Sequence, residues 1–252
     1  MKFTGISIAI TNLLIFYKIS LVLRENVLIL QEINNISYYW LMFTILVGIW
    51  EFYYVKSKNI VNNLSKNLLL NNDHVWFLKY SLKYLLPWNF SNIFYAEYAA
   101  YADREYMYLQ DNWSKVIEGS HAVCCGLLSL IGIIFKIFHQ NDIINLIFFS
   151  MAMGCQFMNS ILYMYQYYIQ TKLTNNINYN SDVFPCGKFL IKRPFMYINI
   201  FWTIMPIYVV YKLIKSYYFV SDVIPYHKIL NSINYSTKNY NFIKFFKLYP
   251  HN

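Results

Sequence analysis

Five stretches of this chain are each about as long as a bilayer core is thick and nearly free of charge, and nothing else constrains its fold as strongly. They are 3–23 (FTGISIAITNLLIFYKISLVL), 37–55 (SYYWLMFTILVGIWEFYYV), 115–137 (KVIEGSHAVCCGLLSLIGIIFKI), 143–165 (IINLIFFSMAMGCQFMNSILYMY) and 195–214 (FMYINIFWTIMPIYVVYKLI). A backbone in hydrocarbon must satisfy its own polar groups, so runs of this length predict helices. The expectation is an all-α polytopic membrane protein. A five-helix transmembrane bundle with an intramembrane pocket occupies 1–215, and a basic polar tail follows over 216–252. Composition agrees: 13% of the side chains are charged, against roughly a quarter in soluble domains. Hydrophobic residues make up 58% of the chain, which excludes disorder.

The first run begins with a short charged stretch and has an apolar centre, as a signal peptide does. It lacks a small-x-small cleavage site and carries Lys18, so it reads as a retained span. Between the second and third runs, 56–93 is a long polar and amphipathic insertion. Its mixture of Lys, Leu and Trp suits a helix lying on the membrane surface. A net charge of +9 raises nucleic acid as a partner. The lysines, however, flank apolar runs as juxtamembrane charges do, and no nucleic-acid motif accompanies them. Lysines are dense on both faces that five spans would create, so the positive-inside rule does not choose an orientation. The four cysteines, Cys124, Cys125, Cys155 and Cys186, have no CxxC spacing and indicate neither a zinc site nor a disulfide framework.

Polar side chains inside apolar runs are costly, and they are the first place to look for function. Three pairs are spaced i, i+3 and so share a helix face: Glu118 with His121, Gln156 with Asn159, and Asn199 with Trp202. Glu51 adds an acid near the end of the second run. If these faces converge, they enclose carboxyl, imidazole, amide and indole groups within the third, fourth and fifth helices. The plainer alternative is that Gln156 and Asn159 only hydrogen-bond between helices, that Trp202 packs, and that Glu51 and Glu118 sit at the interface.

The segments EYAAYADREYMYLQDNWSKVIEGSHAVCCGLLSL, GCQFMNSILY and NIFWTIMP, in this order, resemble the emopamil-binding protein family. That family holds the delta-8 to delta-7 sterol isomerases and, in the wider EXPERA group, sigma-2-receptor-like proteins. The likeness runs from about Glu97 to Pro206.

The resemblance implies a five-helix protein of the endoplasmic reticulum that moves a ring double bond of a 3β-hydroxysterol without a cofactor. An acid protonates the alkene, a tertiary carbocation forms, and a base removes a proton from the adjoining carbon. A carboxyl in apolar surroundings holds its proton more tightly, which suits it to this step. An indole face stabilises the cation and explains affinity for amphiphilic amines. By resemblance, Glu118 is the acid, Asn199 its polar partner and Trp202 the cation-facing indole. Sterol or another lipid is the implied partner, together with the membrane and, as a protein partner, a second copy in a homodimer.

Two departures qualify this. The isomerases carry His and, four residues later, Glu on the second span, where this chain has Phe43 and Val47. His121 stands where they carry Thr. Either the acid/base pair is rebuilt from Glu118, His121 and Glu51, or the chain binds sterols, lipids or amines without catalysis.

Overall fold

A computed structural model describes residues 2–102, 112–138, 142–170 and 196–217. The chain divides into two units, Met1–Lys212 and Leu213–Asn252. Of the second, 213–217 end the last helix, and the rest of the expected tail lies outside the described residues. Six α-helices carry the fold: α1 (Gly5–Asn26), α2 (Asn35–Asn71), α3 (Pro87–Glu97), α4 (Asn112–Phe138), α5 (Asp142–Gln170) and α6 (Met196–Tyr217). All but α3 are long and apolar enough to cross a membrane.

α1 starts at Thr4, whose side chain accepts from the Ser7 N–H, and its last turn carries Arg24. It is apolar on nearly every side, yet it buries only Gly5, Ile8, Asn12 and Ser20. Ile6, Ile10, Leu14 and Ile19 are each about half exposed. A helix apolar all round and uncovered by protein is what lipid requires. Two three-residue strands tie its start to the body: β1 (Lys2–Thr4) pairs antiparallel with β2 (Lys79–Ser81). The Gly5 N–H continues this contact to Leu78 O at 3.0 Å. A Cβ at Gly5 would collide with the Val75 carbonyl, so no larger residue fits there.

α2 is longer than the sequence suggests. It begins on the Asn34 cap, kinks at Ser57, and runs past the expected limit at residue 55 to Asn71. Asn72 then closes it in the left-handed conformation, at φ 53°, a position that Asn tolerates. The first half of the 56–93 insertion is therefore a continuation of this helix, with Val61, Ser65 and Leu68 buried. α3 follows, started by Pro87 at its first position. Its Phe90, Ile93 and Ala96 join Trp50 and Leu46 in the core, and Ser91 Oγ donates to Trp50 O at 2.6 Å. This part of the insertion is core rather than a surface helix, because its apolar side chains face α2.

Glycines let α2 and α4 meet closely. A Cβ on Gly48 would lie 3.0 Å from the Ala122 carbonyl oxygen and from the Gly126 Cα. One on Gly126 would lie 3.3 Å from Thr44 O, and Gly119 faces Val55. The helices therefore run antiparallel, and this pairing brings His121 level with Glu51. At the end of α2 where it begins, Lys136 of α4, itself buried, reaches Glu32 Oε2 at 2.8 Å.

Candidate functional site

Inside this frame lies a cavity of about 470 Å³. That is within the usual range of small-molecule sites, roughly 300–1,000 Å³. Its longest wall is α2, through Phe43, Thr44, Val47, Trp50, Glu51 and Tyr54. These positions recur every three or four residues, so they share one face and extend over about 16 Å of helix. The sequence points mainly to the third, fourth and fifth spans, with Glu51 of the second joining them if the site is rebuilt; in the structure α2 and α3 also line the cavity, and α2 supplies more of its wall than any other helix.

α4 adds His121, Ala122 and Cys125; α5 adds Gln156, Asn159, Ser160 and Tyr163; α6 adds Ile198, Asn199 and Trp202. The end of α3 contributes Phe94 and Tyr95, and the π-helical turn Tyr98–Ala102 contributes Tyr98 and Ala102. Such turns are over-represented at functional sites because they re-aim side chains.

Six of the seven residues singled out in the sequence thus line one cavity: Glu51, His121, Gln156, Asn159, Asn199 and Trp202. The seventh, Glu118, falls in the first turns of α4, and its side chain lies outside the described residues. Phe43 and Val47, where the resemblance would put His and Glu, line the cavity too. Glu51 lies one helical turn beyond Val47 on the same face. It is half-buried and accepts a hydrogen bond from the Tyr95 hydroxyl, and the Tyr95 ring stacks on Tyr54 at 4.7 Å.

One side of the cavity is aromatic. The Trp40 ring lies 4.8 Å from the Trp202 ring, Phe43 lies 5.7 Å from Trp202, and Trp50 lies 6.5 Å from Phe43. Phe43, Trp50 and Trp202 line the cavity on this side, and Trp40 packs behind Phe43 and Trp202. Trp40, Trp50, Tyr54 and Tyr95 do not stand out in the sequence as site residues. The signal for the α2 residues is the i, i+3, i+4 recurrence from Phe43 to Tyr54, visible only when the second run is read by face as well as by charge.

A second acid sits outside the cavity. Glu97 is 6% exposed, accepts the Val75 N–H at 2.9 Å, and pairs with His74 Nδ1 at 2.7 Å. Tyr101 lies over the imidazole at 4.1 Å and donates to Asp73 O at 2.9 Å. Nearby, burial pushes the Tyr80 phenol up to about 12, assisted by the Tyr84 phenol and the charges of Glu97 and Asp73. Among the described residues, no group of three His, Cys, Asp or Glu side chains could hold a metal ion.

Chemically, the cavity can hold an elongated lipophile, present a carboxyl and an imidazole at one level, and face it with indoles and carboxamides. Compared with the models of known protein families, with curated proteins and with solved structures, the chain matches none.

Proposed function

We propose that this chain is a membrane-embedded sterol double-bond isomerase of the emopamil-binding-protein type, resident in the endoplasmic reticulum. Its cavity lies within the bilayer and receives the substrate from lipid. The observation that carries the reading is that Glu51 and His121 line one and the same cavity, in a wall that is mostly apolar and aromatic with a few carboxamides and hydroxyls. An acid and a base side by side are what a shift of a double bond by protonation and deprotonation needs.

In this mechanism the Glu51 carboxyl acts as the acid. Its O–H bond breaks as the alkene π pair forms a new C–H bond, leaving a carboxylate and a tertiary carbocation. His121, neutral, then takes a proton from the adjoining carbon, and that C–H pair becomes the new double bond. The imidazolium then gives up that proton and Glu51 regains one by exchange with solvent, so no net proton and no cofactor is consumed. Tyr95 donates to one oxygen of this carboxyl and so fixes its orientation toward the cavity. Trp50 and Trp202 offer π faces to the cation, and the same faces favour protonated amphiphilic amines as ligands. Asn199 and Asn159 orient the substrate, and Glu118 is a further carboxyl on the same helix as His121.

The second reading is a non-catalytic binder of sterols, other lipids or amines. It is favoured by Phe43 and Val47, which are apolar where the isomerases carry His and Glu. Sterol analysis of an isomerase-deficient cell expressing the chain separates the two. The isomerase reading expects delta-7 sterols to reappear. Correctly folded protein at normal abundance with an unchanged delta-8 profile would favour the binder.

A further inference from the structure

On the Trp40 side of the cavity, one hydrogen bond fixes the direction of a carboxamide. The Trp40 indole Nε1 donates to Gln156 Oε1 at 2.9 Å, with both residues buried. An indole N–H can only donate, so the amide oxygen must face Trp40 and the –NH₂ must face away. Gln156 lines the cavity, and its nitrogen has no partner among the described residues. Nor is that nitrogen among the side-chain atoms sealed off without a partner, so it is open to the cavity. Ser160, one turn further along α5, is 4% exposed, lines the same wall, and likewise has an unpartnered hydroxyl among the described residues. A buried donor left open beside a buried donor-acceptor is costly unless a ligand fills it.

We infer that Gln156 and Ser160 form a binding site for the hydroxyl group of a lipid alcohol. Gln156 Nε2–H donates to the hydroxyl oxygen, and Ser160 Oγ accepts the hydroxyl proton. A neutral alcohol fits this pair better than a carboxylate, because no cationic side chain lines this side, and better than an amine, because an oriented –NH₂ repels a cation. Trp40 and Glu51 are separated by about 16 Å along α2. The hydroxyl is read at Gln156, on the side of the cavity toward Trp40. Trp40 is a positioning residue that acts through Gln156. The inference rests on the proposed function only for the choice of sterols as probes.

The test uses the full chain in lipid nanodiscs and compares equilibrium binding of cholesterol with that of 5-cholestene, the same hydrocarbon without the hydroxyl. Wild type should prefer the alcohol by about 3- to 10-fold, the size of one or two net hydrogen bonds. Gln156→Leu should remove that preference, with helical content and thermal unfolding in detergent showing that the variant is folded. Trp40→Phe, which frees the amide to turn, should lose part of it, and Gln156→Asn should not restore it because the shorter amide falls short of both partners. Equal affinity of alcohol and hydrocarbon in wild type, a comparison that needs no variant, would overturn the inference and leave the isomerase proposal standing. So would an undiminished preference in Gln156→Leu. A Gln156-dependent preference without sterol turnover would sustain the inference and sink the enzyme reading. Binding of neither probe would overturn both.

Discussion

Glu51 and Glu97 are carboxylates on neighbouring elements, and the difference between their surroundings separates structure from chemistry. Glu97 is buried, with one oxygen on a backbone N–H and the other on His74, which is itself covered by Tyr101. Its hydrogen-bonding capacity is spent on joining the end of α2 to α3. Glu51 is half-buried, takes the Tyr95 hydroxyl and opens to a cavity that also contains His121. The two sites are linked, since α3 carries both Tyr95 and Glu97. One acid holds the helix that aims a tyrosine at the other.

Substitutions at the two acids should therefore fail in different ways. The largest effect is expected at the cavity: Glu51→Gln should lower sterol turnover at least about 100-fold, since an amide cannot deliver the proton, while thermal unfolding in detergent changes little. Glu97→Leu should do the reverse. It strands a buried N–H and the imidazole, so stability should fall by about 2–4 kcal/mol, and the protein that remains folded should keep turning over. Turnover lost in folded Glu97→Leu, or stability lost in Glu51→Gln, would erase the distinction.

Two smaller effects sharpen it. Gly126→Ala places a methyl 3.0 Å from the Gly48 Cα. It should cost about 1–3 kcal/mol by overpacking and disturb the level pairing of His121 with Glu51, seen as a fall in kcal-scale stability together with turnover. Tyr95→Phe keeps the ring stack on Tyr54 and removes only the hydroxyl. About 0.5–1.5 kcal/mol of stability should go, and the pH profile of turnover should move, which a purely structural tyrosine would not cause.

The long apolar runs were legible because hydrocarbon tolerates little else, and helices follow at 5–26, 112–138, 142–170 and 196–217. The extension of α2 was not. Beyond residue 55 the chain turns rich in Lys and Asn, and the buried stripe of Val61, Ser65 and Leu68 is too sparse to stand out. The β1–β2 pairing rests on three-residue strands more than seventy residues apart, without a local signal.

The cavity's polar residues stood out as polar groups in apolar runs. Its aromatic wall did not, because Trp40 and Trp50 look like a membrane-interface belt until α2 is read by face. The pairing of His74 with Glu97 joins residues of two elements across a turn and leaves no periodic trace. Phe43 and Val47 argue against a simple transfer of the isomerase site, and only the fold puts Glu51 on the same cavity wall one turn away.

Isotope incorporation tests most directly whether this cavity transfers protons to and from a sterol. Purified chain in nanodiscs is incubated in D₂O with a delta-8 3β-hydroxysterol, and the product is analysed by mass spectrometry. The acid exchanges with solvent, so the account predicts a delta-7 product carrying one deuterium, formed by wild type and absent with Glu51→Gln. Product without deuterium, product formed equally well by Glu51→Gln, or no product from folded wild type would contradict it.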